Sequence, residues 1–89
     1  MKYKIEFSVK AIKILKALPY NVKKRIYNKL EFYGNSHNPL KFAKPLEGDQ
    51  ERKYRFRIGD YRVVFEIDNS NEAIILYILT IGHRKDIYR

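Results

Sequence analysis

The sequence predicts an α+β domain in which an N-terminal strand and an antiparallel helical hairpin pack on a mainly antiparallel sheet. Three observations carry this prediction. An alternating run opens the chain, two stretches of helical periodicity follow, and three strand-like stretches fill the second half. A length of 89 residues makes one domain, residues 1–89, the expected organisation. Residues 2–7, KYKIEF, put Tyr3, Ile5 and Phe7 on one side of a short strand. Ser8 is placed to cap a first helix, in which Val9, Ile12, Leu15 and Leu18 recur at helical spacing and Lys10, Lys13 and Lys16 lie elsewhere. Pro19 stops that helix. Asn21 is expected to cap a second one, with Val22, Ile26, Leu30 and Tyr33 as its buried stripe and Gly34-Asn35 at its end. The very short link implies that the two helices run antiparallel. Residues 35–52 are the least regular part, broken by Asn38-Pro39, Lys44-Pro45 and Gly48-Asp49, with a short extended piece around Lys41 to Lys44. Strands are expected over Lys53 to Ile58, Tyr61 to Ile67 and Ala73 to Ile81. Asp68-Asn69-Ser70-Asn71 forms the loop between the last two, and GHRKDIYR forms a short polar tail.

Composition narrows the function classes. Nineteen Lys and Arg against ten Asp and Glu give a net charge of +9 and a pI near 9.8. Such a surplus draws polyanions, so nucleic acid leads as a partner class and an acidic protein comes second. The surplus is uneven: residues 1–30 hold nine Lys and Arg against one acid. A solvated helix surface accounts equally for lysines in such numbers. The absence of cysteine rules out disulfides and thiol chemistry and suits a reducing cytoplasm. The opening MKYKIEFSVK has no apolar run of signal length, and no segment approaches the span of a membrane, so a cytoplasmic location without membrane association is expected.

The stretch YRFRIGDYRVVF concentrates the chemistry. Gly59-Asp60 suits a two-residue type II′ turn, which sets Ile58 against Tyr61, Arg57 against Arg62, Phe56 against Val63 and Arg55 against Val64. Parity then gives one apolar face of Tyr54, Phe56, Ile58, Tyr61, Val63 and Phe65. Arg55, Arg57 and Arg62 share the other face. Like charges across a strand pair are destabilising. Either the arginines lie flat over the sheet and pair with Glu66 or nearby acids, or they form an anion site in which guanidinium groups grip a phosphate. Beyond the last strand, Gly82 lets the chain turn and present His83 and Arg84, with Tyr88 four residues further on. Histidine and tyrosine side chains can both carry a proton to or from a reacting oxygen, so His83 and Tyr88 are candidates for proton transfer beside a basic cluster. Each also has an ordinary packing or surface role open to it. His37 sits in a loop next to Asn38-Pro39 and reads as a surface residue. Two separated histidines without cysteine make a poor metal set, so no metal or cofactor is expected. No phosphate-binding glycine loop and no nucleophile elbow are present.

The runs KPLEGDQERKYRFRIGDYRVVFEID and ILYILTIGHRKDIYR together resemble the RelE/ParE superfamily of toxin–antitoxin toxins. The resemblance covers nearly the whole chain, and its charged residues and tail are more similar to the RelE branch, which cleaves messenger RNA on the ribosome. It implies a RelE/ParE-like fold and a type II toxin with endoribonuclease activity toward mRNA in the ribosomal A site. It also implies a cognate RelB-like antitoxin, in a toxin–antitoxin hetero-oligomer. The ParE branch, which shares the fold and inhibits DNA gyrase without nuclease activity, is the alternative. A plain RNA-binding module is a third reading, weakened by the lack of an RRM-type aromatic motif.

Carried over by position, the resemblance implies that Arg55 and Arg57 bind the RNA phosphate. Arg62 and Arg84 act at the reacting phosphate, and His83 and Tyr88 complete the catalytic set. Some relatives have lysine where this chain has Arg55 and Arg57. Arginine does not release its proton in a protein, so these two clamp phosphate and do not act as bases. The implied reaction is attack of the 2′-hydroxyl on the scissile phosphate. The RNA supplies the nucleophile, and the products are a 2′,3′-cyclic phosphate and a 5′-hydroxyl.

Overall fold

The computed structural model describes residues 2–46, 52–70 and 72–83. Strand β1 (Lys2–Phe7) leads into helix α1 (Val9–Ala17) and helix α2 (Tyr20–Gly34). A 3-10 turn (Pro39–Phe42) precedes β2 (Ala43–Pro45), and β3 (Lys53–Ile58), β4 (Tyr61–Asn69) and β5 (Ala73–His83) follow. The strands form one sheet in the order β1-β5-β4-β3-β2. β1 runs parallel to β5 and every other pairing is antiparallel. The α+β architecture with a mainly antiparallel sheet is as the sequence predicts.

Ser8 starts α1 in two ways at once. Its Oγ accepts from the Ala11 amide at 3.0 Å and donates to the Leu79 carbonyl at 3.0 Å. Leu79 is the extra residue of a bulge: Val64 pairs with Thr80 and Phe65 with Ile78, which leaves Leu79 without a partner on β4. Ser8 therefore caps the helix and satisfies a carbonyl beside the bulge. The bulge also resets the pleat. Leu76 and Ile78 face the core on one side of it, Ile81 on the other, and all three are buried.

The buried face of α1 differs from the expected one. Val9 is 70% exposed and Ile12 is also exposed, whereas Ala11 is fully buried with Ile14, Leu15 and Leu18 beside it. Ala11, Ile14, Leu15 and Leu18 are themselves an i, i+3, i+4, i+7 stripe. The small Ala11 side chain lets the helix sit close over β5, and that contact decides which of two apolar stripes is turned inward. Asn21 does not cap α2. The helix begins two residues earlier, with Pro19 at the cap position and its carbonyl accepting from the Lys23 amide at 2.9 Å. The expected stripe of Ile26, Leu30 and Tyr33 is buried, with Val22 partly so.

The extended piece near Lys41 is a 3-10 turn to Phe42 and a short strand from Ala43. Asp68 and Asn69 belong to β4 and not to a loop, and Gly82 and His83 extend β5 beyond the expected Ile81. The core is one cluster: Phe56, Ile58, Val63, Phe65, Leu76, Ile78 and Ile81 from the sheet meet Ala11, Ile26, Leu30 and Tyr33 from the helices. Both helices cover this one face, so the other face of the sheet is left for the site.

Candidate nucleic-acid interface

The site begins with the β3–β4 hairpin. Gly59 has φ +60°, while Asp60 does not share a positive φ. A type I′ turn needs positive φ at both central residues, so the dihedrals fit the expected type II′ turn. The register follows: Ile58 opposes Tyr61, Arg57 opposes Arg62, Phe56 opposes Val63 and Arg55 opposes Val64. Phe56, Ile58, Val63 and Phe65 are buried beneath the helices. Arg55, Arg57 and Arg62 stand on the opposite face, Arg57 exposed and the other two partly buried.

Neighbouring strands extend this basic face. On β2, Lys44 lies opposite Arg55. On β5, Gly82 lies opposite Arg62 and adds no side chain beside it. Glu66 lies opposite Lys53 and Tyr77, two positions along β4 from Val64. Arg55 Nη1 donates to the Pro45 carbonyl at 3.2 Å, which holds its guanidinium against β2. A cavity of about 80 Å³ is lined by Phe42, Lys44, Arg55 and Arg57. At about 30 Å³ per water it holds roughly two or three waters, a volume that suits the oxygens of one anion. Three of its four lining side chains are cationic. Lys44 and Phe42 were not picked out from the sequence. The breaks at Pro39 and Pro45 made this segment look irregular, and the pairing of β2 with β3 is what brings both to the site.

The tail residues are placed differently. His83 pairs with Tyr61, and the two rings meet edge to face at 5.1 Å and 82°. Tyr61 belongs to the apolar side of the hairpin, so alternation along β4 sets His83 beside the Tyr61 side of the sheet and Arg62 on the other. Arg84 and Tyr88 lie outside the described residues. His37 is exposed, as expected for a surface residue. Among the described residues, no group of three or more His, Cys, Asp or Glu side chains is arranged to hold a metal ion, and no helix is long and apolar enough to cross a membrane.

A two-helix cap on one face of a five-stranded sheet, with arginines gathered on the open face, defines a small toxin of the RelE/ParE type. Residues 5–88 match the family model described as ParE toxin of type II toxin–antitoxin system, parDE, and the chain belongs to that family. It is 32% identical to Toxin RelG of Mycobacterium tuberculosis over 89 residues, covering all of this chain and 99% of that protein. It is 36% identical to Toxin RelE3 of Methanocaldococcus jannaschii over 88 residues, covering 96% and 94% respectively. The fold is similar to that of the RelBE2 toxin–antitoxin complex from M. tuberculosis, with TM-score 0.73 and 27% identity over 94% of this chain and 100% of that one. It is also similar to the archaeal RelE–RelB complex from Pyrococcus horikoshii, with TM-score 0.70 and 28% identity over 94% and 97%. The protein is thus a type II toxin–antitoxin toxin of the RelE/ParE family.

Proposed function

We propose that this toxin is a ribosome-dependent endoribonuclease that cleaves mRNA by 2′-hydroxyl attack on the scissile phosphate. One observation carries the proposal: the hairpin register gathers Arg55, Arg57 and Arg62 on one open face, with Lys44 beside them. The RNA contributes both nucleophile and leaving group. The 2′-hydroxyl loses its proton as its oxygen bonds to phosphorus, the 5′-oxygen departs and takes up a proton, and a 2′,3′-cyclic phosphate remains. The protein must align these atoms and stabilise the added negative charge in the transition state. Arg55 and Arg57, with Lys44, hold the backbone phosphate. Arg62 and Arg84 act on the reacting phosphate. Proton transfer is assigned to Tyr88 first and to His83 second, because the His83 ring packs against Tyr61, on the side of the sheet away from Arg62. The chemistry requires neither a metal nor a cofactor.

The partners follow from the same reading. A cognate RelB-like antitoxin, acidic in the segment that wraps the toxin, covers the lysine-rich helices and forms a hetero-oligomer with it in the cytoplasm. Val9, Ile12, Tyr20 and Tyr27 are exposed on those helices, which supports an apolar contact there. The two solved neighbours named above are themselves toxin–antitoxin complexes, RelBE2 and RelE–RelB. The test is to add the purified toxin to ribosomes programmed with a defined mRNA. Cleavage in the A-site codon should leave a 2′,3′-cyclic phosphate and a 5′-hydroxyl. Uncut mRNA would overturn the proposal.

The ParE name of the family model favours a second reading, a gyrase-inhibiting toxin without nuclease activity. On that reading the mRNA stays intact, and gyrase-dependent double-strand breaks appear in DNA.

A further inference from the structure

We propose that Phe42 is a base-stacking platform: single-stranded RNA that sets a phosphate on Lys44, Arg55 and Arg57 lays an adjacent nucleobase on the Phe42 ring. The inference rests on the phosphate-binding reading of the arginine face and adds a second contact to it. Phe42 ends a column of near-parallel rings. It stacks on Tyr33 at 4.8 Å and 23°, Tyr33 on Phe56 at 4.5 Å and 29°, and Phe56 on Phe65 at 4.5 Å and 22°. The column continues to Tyr54, 5.8 Å from Phe65 at 24°. Phe56 and Phe65 are wholly buried and Tyr33 nearly so, whereas Phe42 is 36% exposed. A planar stack therefore runs from the core to the surface and stops at a ring with solvent access.

The core fixes the plane of that last ring, so a ligand ring meets a surface already ordered, and little entropy is lost on stacking. Phe42 also lines the cavity formed with Lys44, Arg55 and Arg57. One aromatic ring and three cations around a common opening match the two halves of a nucleotide: a flat base and an anionic phosphate. Further cations and an aromatic edge frame the platform. Lys41 Nζ lies over the Phe42 ring, 5.6 Å from its centre, at the outer range of cation–π attraction, and an incoming base displaces its flexible stem toward a phosphate. Phe32, itself exposed, stands 5.8 Å from Phe42 at 58°, and Lys29 lies 5.7 Å from the Phe32 ring. Stacking of this kind tolerates any base, so the platform positions RNA without selecting a sequence.

The experiment uses the full-length toxin and a short single-stranded RNA, 2′-O-methylated to block cleavage, with 2-aminopurine at one position. A second RNA is abasic at that position. The base-containing RNA should quench on binding, and wild-type affinity for the abasic RNA should be weaker by about 5- to 150-fold. Phe42→Leu, which keeps most of the volume, should bind the base-containing RNA as weakly as wild type binds the abasic one, with no further loss on the abasic RNA. Phe42→Trp should keep the preference for the base. Equal affinity of wild type for both RNAs, with salt-dependent binding intact, overturns the platform and leaves the phosphate site standing. If a variant with both Arg55→Ala and Arg57→Ala binds both RNAs as wild type does, the phosphate reading falls and the platform falls with it.

Discussion

Arg57 stands directly across the hairpin from Arg62, where a neutral pair would be more stable. Replacing Arg57 with threonine should raise stability in chemical denaturation by about 0.2–1 kcal/mol and at the same time lower RNA cleavage. On the proposed reading, an RNA phosphate held between the two guanidinium groups offsets this repulsion. Arg62→Ala and Arg84→Ala should each slow cleavage by about 10²- to 10³-fold and relieve growth arrest, with the circular dichroism of the fold unchanged. Full toxicity in both variants would remove these residues from the site. Tyr33 gives a different signature. Burial raises its phenol above the ordinary 10.0, so the folded state holds the proton more tightly than the unfolded chain does. Its contribution is constant below pH 10.0 and falls as pH rises through the raised value, because the charged phenolate is disfavoured in the fold. Denaturation midpoints of Tyr33→Phe followed upward from neutrality should lack this alkaline component.

Ser8 joins helix α1 to the bulge of β5, because its hydroxyl both caps the helix and serves the Leu79 carbonyl. Ser8→Ala should cost at least the usual cap loss of about 0.5–2 kcal/mol, measured by urea unfolding, and Ser8→Thr should recover much of it. The hairpin and α1 show what the sequence makes legible and what it does not. Alternation and a glycine-led turn are local properties, so β1, β3 and the Arg57–Arg62 register could be read directly. The buried face of α1 could not. Val9 and Ile12 belong to one apolar stripe and Ala11 and Ile14 to another, and contact with β5 selects between them. The bulge at Leu79 was equally hidden, since AIILYILTI is apolar throughout and gives no sign of a change in pleat. For the site, three arginines on one face were legible from parity. Lys44 and Phe42 reach it only through a non-local pairing of β2 with β3. His83 was placed beside the arginines by nearness in sequence, but alternation sets it against Tyr61.

At the scale of the molecule, helices on one face and arginines on the other give the two sides of the sheet different uses. The helical side carries the lysine excess and the exposed Val9, Ile12, Tyr20 and Tyr27, a surface suited to an acidic, partly apolar partner. The open side carries Arg55, Arg57 and Arg62, which on the proposed reading meet a phosphate backbone. Binding of blocked single-stranded RNA should therefore weaken linearly in log affinity against log salt, with a slope near −0.7 per phosphate neutralised. A salt-independent affinity would show that the basic face is not what binds. The central claim is that the open face directs cleavage of translated mRNA. Primer extension on a cellular transcript after toxin induction, in wild type and in Arg62→Ala, tests it most directly. The account predicts new 5′ ends within translated codons for wild type and none for the variant. Intact transcripts in wild-type cells, accompanied by double-strand DNA breaks, would contradict it.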